Sequence, residues 1–374
     1  MESIYRQAMT FENDRLKQWK AEGKPVAGYI CLATPTELME AAGVLPYRIR
    51  ALGNSQTELA DARLSRFNCS YCRSCLQLGL DGTFDFLDGM IETNGCDHLR
   101  GMIENWRYAR GFKFFHYLKV PHLADPDSLR YFEEDLRLFR LALADHFGQA
   151  ISDDAVWEQI RREGRIREKL RALSRMRERE EPAFTGAEVM KIFLLATAVP
   201  AAAREAILDR ALAANQERKL GDFRARLLLG GSATDEVDFL EGIESQGGLI
   251  VADMLCYGTR AFGAPRAEAS TGDPIPFLAR TYLEKLLCPR MFNDFPRRRD
   301  FILAAVERAK IDGVILVQNK FCDLHGVDNV SLRLALEKKG IPVLQLEKEY
   351  GASADIGRMK TRVQAFLERI GDRR

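Results

Sequence analysis

Pro25-Val26-Ala27-Gly28-Tyr29-Ile30-Cys31-Leu32, followed at once by Thr34-Pro35-Thr36-Glu37, is the stretch that decides the fold. The first run is apolar along almost its whole length, the pattern of a strand covered on both faces. The second reads as a helix start, with Thr34 at the N-cap, Pro35 at the first helical position and Glu37 at the third. Gly43, just after Leu38-Met39-Glu40-Ala41-Ala42, supplies the stop. A strand running straight into a helix predicts a parallel sheet with helices packed on it.

Working outward, the same alternation repeats. Leu45 to Leu52 reads as a second strand, Phe84 to Glu92 as a third, Asp97 to Arg110 as a helix and Lys113 to Val120 as a fourth strand. The texture then changes. Leu129, Phe132, Leu136, Phe139 and Leu143 recur at helical spacing, as do Val156, Ile160, Ile166 and Leu170 in a charged background. The α/β pattern resumes with Arg226 to Leu229, which runs into Gly230-Gly231-Ser232, and a helix from about Asp235. Gly248 to Ala252, Gly313 to Val317 and Pro342 to Leu346 are later strands, and Asp355 to Ile370 is a final helix. The fold class expected is α/β: two Rossmann-like parallel-sheet domains, 1–126 and 223–374, joined by a helical segment, 127–222. One internal echo links the two domains. Asp88-Gly89-Met90-Ile91 precedes Cys96-Asp97-His98, and Asp312-Gly313-Val314-Ile315 precedes Cys322-Asp323-Leu324-His325.

Composition narrows the function. Across 374 residues, 55 Lys and Arg balance 54 Asp and Glu for a net charge of +1. No electrostatic footprint for nucleic acid or an anionic membrane follows from that balance. The opening Met1-Glu2-Ser3-Ile4-Tyr5-Arg6-Gln7 has no signal-peptide pattern, and the apolar run Ile192 to Ala203 is too short to span a bilayer and contains Pro200. A cytoplasmic protein is expected, with no membrane contact. Its eight cysteines are then reduced thiols, and metal binding or redox chemistry leads the reasons for their clustering.

Cys31, Cys96, Cys256 and Cys322 fall just past the carboxyl ends of predicted strands, the edge where α/β sheets bind ligands. Cys69-Ser70-Tyr71-Cys72-Arg73-Ser74-Cys75 has the C-x-x-C-x-x-C form that opens a ferredoxin run, but Gly79 stands where the fourth cysteine belongs. The segment also reads as helix, so not all three thiols need be ligands. An iron–sulfur cluster, a zinc site and ordinary buried thiols all stay open on spacing alone, although structural zinc usually takes two close ligand pairs. His98 and His325, near the two Cys-Asp motifs, read as capping or packed residues rather than catalytic ones. No P-loop and no G-x-G-x-x-G after a strand is present. Gly230-Gly231-Ser232 is either a phosphate-facing turn or a simple tight one.

These motifs together resemble the 2-hydroxyacyl-CoA dehydratase / benzoyl-CoA reductase family, in its cluster-bearing, D-component-like subunit. Gly28-Tyr29-Ile30-Cys31, Pro35-Thr36-Glu37-Leu38 and Ala41-Ala42-Gly43-Val44-Leu45-Pro46 resemble its opening. Cys69-x-x-x-Arg73-Ser74, Asp85-Phe86-Leu87-Asp88-Gly89 and Cys96-Asp97-x-x-Arg100 resemble its middle. Asp253-x-Leu255-Cys256-x-Gly258-x-Arg260, Cys288-Pro289-Arg290, Asp312-Gly313-Val314-Ile315, Phe321-Cys322-Asp323 and Gly340-Ile341-Pro342 resemble its C-terminal half. The resemblance implies one [4Fe–4S] cluster in the interdomain cleft, held by Cys69, Cys96 and Cys322 with one iron left open. Cys31, Cys72, Cys75, Cys256 and Cys288 are then unassigned or supporting thiols. It further implies an acyl-CoA or aryl-CoA substrate, a homologous second subunit and a separate ATP-hydrolysing iron–sulfur activator. Radical reduction and dehydration both fit: the Asp88-Gly89-Met90, Cys96-Asp97 and Trp106 region looks like the reductases, while Leu255-Cys256 and Cys288-Pro289 look as much like the dehydratases. The alternative is a double-cubane-like reductase or electron-transfer protein. Those relatives carry a cysteine in the turn that here reads Gly230-Gly231-Ser232. Arg73, Arg100 and Arg260 are expected either to contact CoA phosphates or the cluster surroundings, or to form ion pairs.

Overall fold

A computed structural model describes residues 1–262, 271–284, 286–351 and 353–371; positions 372–374 of the expected C-terminal domain lie outside them. The first sheet comprises β1 (Val26–Tyr29), β2 (Leu45–Arg48), β3 (Gly89–Thr93) and β4 (Phe114–Leu118), and the second β5 (Ala225–Gly231), β6 (Gly248–Met254), β7 (Gly313–Asn319) and β8 (Val343–Lys348). Every pairing is parallel, and the two sheets share one order: β2-β1-β3-β4 and β6-β5-β7-β8. The α/β reading from sequence is therefore correct. Its cause is plain in β1, β3, β5 and β6, every residue of which is buried because helices cover both faces.

In each sheet the chain steps from its first strand to one side, then crosses back to the other. A crevice opens where the direction reverses, between β1 and β3 and between β5 and β7. Cys31 follows β1 and Cys96 follows β3. Ser232 follows β5 and Cys322 follows β7. Glycine is required at one point here. Gly231 has φ +122°, and a Cβ on it would lie 2.0 Å from the Val317 carbonyl oxygen, so only glycine lets β5 pass β7 this closely.

Four long helices separate the sheets: Pro126–Phe147, Asp153–Glu178, Gly186–Ala196 and Ala201–Ala214. Asp125, Ser152 and Thr185 cap the first three, and Thr185 forms a reciprocal capping box with Glu188. The helix Asp153–Glu178 clamps both halves with buried charge. Arg167 meets Glu37 at 2.9 Å, and Arg204 bridges its Glu163 to Glu40. Toward the other sheet, Arg177 meets Asp253 at 2.6 Å. One apolar core runs through all three parts, including Leu45, Leu76, Leu170, Ile192, Leu229 and Val317.

Two local expectations fail. The helix after β1 spans Thr36–Ala41 with Pro35 as its N-cap, and Thr34 makes no capping bond. Glu37 is instead drawn into the core by Arg167 and by the Tyr282 hydroxyl, which donates to it at 2.6 Å. The strand expected from Phe84 begins only at Gly89. Phe84 and Phe86 leave the ladder to pack edge-on around Tyr47, with Phe84 also against Trp106.

Candidate metal centre

Three cysteines occupy helix N-caps at the facing crevices. Cys69 precedes the helix Ser70–Leu80, Cys96 the helix Asp97–Arg110 and Cys322 the helix Asp323–Glu337. The N-terminus of a helix favours negative charge, which suits a thiolate. Each is fixed locally. The Cys69 amide donates to His98 Nδ1 at 3.1 Å, so the His98 Nε2–H is left to face Asp323 across the cleft, 3.6 Å away. Cys96 Sγ accepts the Leu99 amide at 3.4 Å. Cys322 follows Phe321, whose φ of +65° is rare for an aromatic residue and turns the chain sharply out of β7. The two halves are stitched together beside it, since the Ser70 amide donates to the Lys320 carbonyl and the Tyr350 amide to Ser70 Oγ.

The thiols meet in a row. Cys322 lies within hydrogen-bonding reach of Cys69, Cys69 of Cys72, and Cys72 of Cys96. Their proton affinities alternate along it. The neighbouring Cys322 and Cys72 thiols, helped by His98, hold Cys69 well below the usual thiol value. Cys96 is lowered by the neighbouring Cys72 thiol and by the Leu99 amide. Cys72 is raised by the Cys69 and Cys96 thiols beside it and by burial, and Cys322 by the Cys69 thiol and by burial. Among the described residues no three His, Cys, Asp or Glu side chains are placed to hold a single metal ion.

This row forms a wall between two spaces. Outside it is a cleft of about 400 Å3 lined by Asn94, Asp97, His98, Arg100, Tyr117 and His122. Inside is a cavity of about 120 Å3, whose far side carries Cys31, Cys256 and Cys288 with Arg48, Arg260 and Arg290. Cys69, Cys96 and Cys322 border both. Burial pushes the Cys288 thiol up to about 11 against the pull of Arg260. Cys75, fully buried and pushed well up by burial, does not line the cavity.

Cys69, Cys96 and Cys322 are thus brought together, and Cys72 joins them. Sequence reasoning leaves Cys72 unassigned, although its i+3 spacing from Cys69 is the available signal. Arg48 as a cavity neighbour escapes it altogether, and Arg290 enters only as the last residue of the Cys288-Pro289-Arg290 motif. Arg73 turns away to pair with Asp61 and Glu349, and Arg100 lies 3.9 Å from Asp97. The turn after β5 is closed rather than phosphate-facing: the Ser232 amide donates to the Val317 carbonyl and Ser232 Oγ accepts the Asn319 amide.

Comparison with known proteins adds a consistent set. Residues 31–370 match the family described as 2-hydroxyglutaryl-CoA dehydratase, D-component. The chain is 28% identical to the putative dehydratase subunit YjiM of Escherichia coli over 368 residues, covering 94% of this chain and 93% of that one. It is 28% identical over 318 residues to a benzoyl-CoA reductase subunit of Thauera aromatica, 82% and 81% of the two chains. It is also 24% identical over 365 residues to the beta subunit of (R)-2-hydroxyglutaryl-CoA dehydratase of Acidaminococcus fermentans, 95% of each.

Proposed function

The chain belongs to the 2-hydroxyglutaryl-CoA dehydratase D-component family, and from that premise we propose that it is the [4Fe–4S] subunit of a cytoplasmic, oxygen-sensitive acyl-CoA enzyme. It works beside a homologous second subunit on an acyl-CoA or aryl-CoA, and takes low-potential electrons from a separate ATP-hydrolysing iron–sulfur activator. The observation that carries this reading is the meeting of Cys69, Cys96 and Cys322 at three helix N-caps from both halves. An all-sulfur donor set backed by a cavity suits an iron–sulfur cluster.

Cys69, Cys96 and Cys322 would hold the cluster. When bound, it supplies a low-potential one-electron centre and an open iron able to polarise a thioester carbonyl. The chain's own part is to orient and to exclude water. His98 fixes the Cys69 backbone from outside, and the Leu99 amide orients Cys96. Tyr71 and Tyr257, joined hydroxyl to hydroxyl at 2.6 Å, close the inner wall. The outer cleft, open beside the same three cysteines, is the approach for the acyl-CoA.

Anaerobic co-purification with quantification of iron, sulfide and bound acyl-CoA tests the reading. Brown protein with about four irons and four sulfides per chain is expected for a single [4Fe–4S] centre. A colourless chain without acid-labile sulfide would reject it.

One observation favours a second reading, a double-cubane-like reductase: Cys31, Cys256 and Cys288 share the same cavity. Ser232 in the turn after β5 speaks against it. About eight irons per chain would support it, since a cubane holds four.

A further inference from the structure

Three arginines on the inner side of the cavity lack what buried arginines normally have. Arg48, Arg260 and Arg290 line it and are 2%, 5% and 1% exposed. Among the described residues, none of them pairs with a carboxylate. Arg48 donates to the Ile30 and Cys256 carbonyls, Arg260 to the Leu287 carbonyl, and Arg290 to the Pro121 and Val120 carbonyls. The further partners carry no full negative charge of their own: Arg260 donates to Cys256 Sγ, Arg290 to Met291 Sδ and the Asn94 carbonyl, and Arg48 lies over the Tyr257 ring, 3.9 Å from its centroid.

Elsewhere in this core, charge is mostly matched. Arg167, Arg177, Arg204 and Arg298 each meet a buried carboxylate. Arg50 and Arg226 are exceptions, bonded to the Leu194 carbonyl and to the Ala309 and Glu178 carbonyls, and neither faces this cavity. A guanidinium keeps its proton in a protein, and buried charge is tolerated only when something compensates it. Three such groups around one cavity call for negative charge inside that cavity.

We propose that Arg48, Arg260 and Arg290 form a fixed cationic wall whose counter-ion is negative charge held within the cavity, so that this site selects an anionic occupant. The inference rests on buried charge alone. Joined to the preceding reading, it assigns three residues that set the charge balance, and with it the potential, of a thiolate-held cluster.

The test has a readout that needs no metal. The full chain, purified anaerobically, is alkylated in parallel with iodoacetate, an anion, and iodoacetamide, its neutral analogue. Rates at Cys256 and Cys31 are followed by peptide mapping. A cationic wall should raise the iodoacetate-to-iodoacetamide rate ratio about tenfold above that of glutathione. Arg260→Gln should lower that ratio, and Arg260→Lys should preserve it. A wild-type ratio equal to that of glutathione overturns the proposal, and the wild-type measurement does not depend on any variant folding.

The second readout is the reduced fraction of the iron centre at a fixed applied potential. Removing a nearby positive charge should lower the reduced-to-oxidised ratio about tenfold in Arg260→Gln, equivalent to about 59 mV for one electron, with Arg260→Lys unchanged. An iron-loaded Arg260→Gln with an unaltered ratio also overturns it. The two claims separate cleanly. A chain that prefers iodoacetate yet holds no iron keeps the cationic wall and rejects the cluster.

Discussion

The two α/β halves share a sheet order and a strand–Cys-Asp–helix arrangement after β3 and β7, yet they are equipped differently. The N-terminal half places Cys69, Cys72 and Cys96 in the thiol row, and Cys31 stands in the turn after β1. The C-terminal half gives the row only Cys322, and its matching turn is sealed by Gly231 and Ser232. A repeated scaffold has become asymmetric at its ligand-binding edge. One half supplies most of the donors, and the other closes the site over them.

The largest expected effect tests whether the shared feature matters as much as the asymmetry. Cys96→Ala and Cys322→Ala, at equivalent caps, should each strip most of the iron, measured as iron and sulfide per chain. Cys69→Ala should do the same, whereas Cys75→Ala should retain it. Equal loss in Cys75→Ala would overturn the choice of ligands.

The helical segment grips the two halves unequally, and this can be broken in turn. Arg177 and Asp253 are buried at 2.6 Å. Arg177→Ala strands a buried carboxylate and should cost about 3–5 kcal/mol in urea unfolding. On the N-terminal side, Arg204 serves both Glu40 and Glu163. Burial, with Glu163 and Glu37 nearby, raises Glu40 to about 7 in spite of Arg204. The folded state then keeps a proton that the unfolded chain sheds above its ordinary carboxylate value. The stabilisation is complete below about pH 4.5 and is lost as pH rises through 7, amounting to about 3 kcal/mol. Glu40→Gln should flatten that slope in melts taken across the window; an unchanged slope assigns it elsewhere.

The smallest effect concerns the sealed turn. Ser232→Ala leaves the buried Asn319 amide without its acceptor and should lower stability by about 1–2 kcal/mol. Thermal melting compared with wild type measures it.

How much of this is legible in the sequence follows the range of the interactions. The sheets can be read because strands covered on both faces must be apolar throughout, as in β1 and β5. The cysteine caps can be read because each lies close after a strand or opens a helix. Strand order is not readable, since pairing β1 with β3 depends on residues some sixty positions apart. The cap at Thr34 misleads because a contact from Arg167, 130 residues away, decides where Glu37 goes. Arg260 and Arg290 stand in recognisable motifs, but their meeting with Arg48 in one wall is invisible for the same reason. Arg48 meets the Cys256 carbonyl across 208 residues, and in sequence a buried arginine looks like any surface charge.

Crystals of the anaerobic protein, with diffraction recorded on either side of the iron absorption edge, test the account most directly. An anomalous peak bounded by the sulfurs of residues 69, 96 and 322 is the predicted result. Iron density elsewhere, or those three sulfurs intact around a site with no iron, would contradict it.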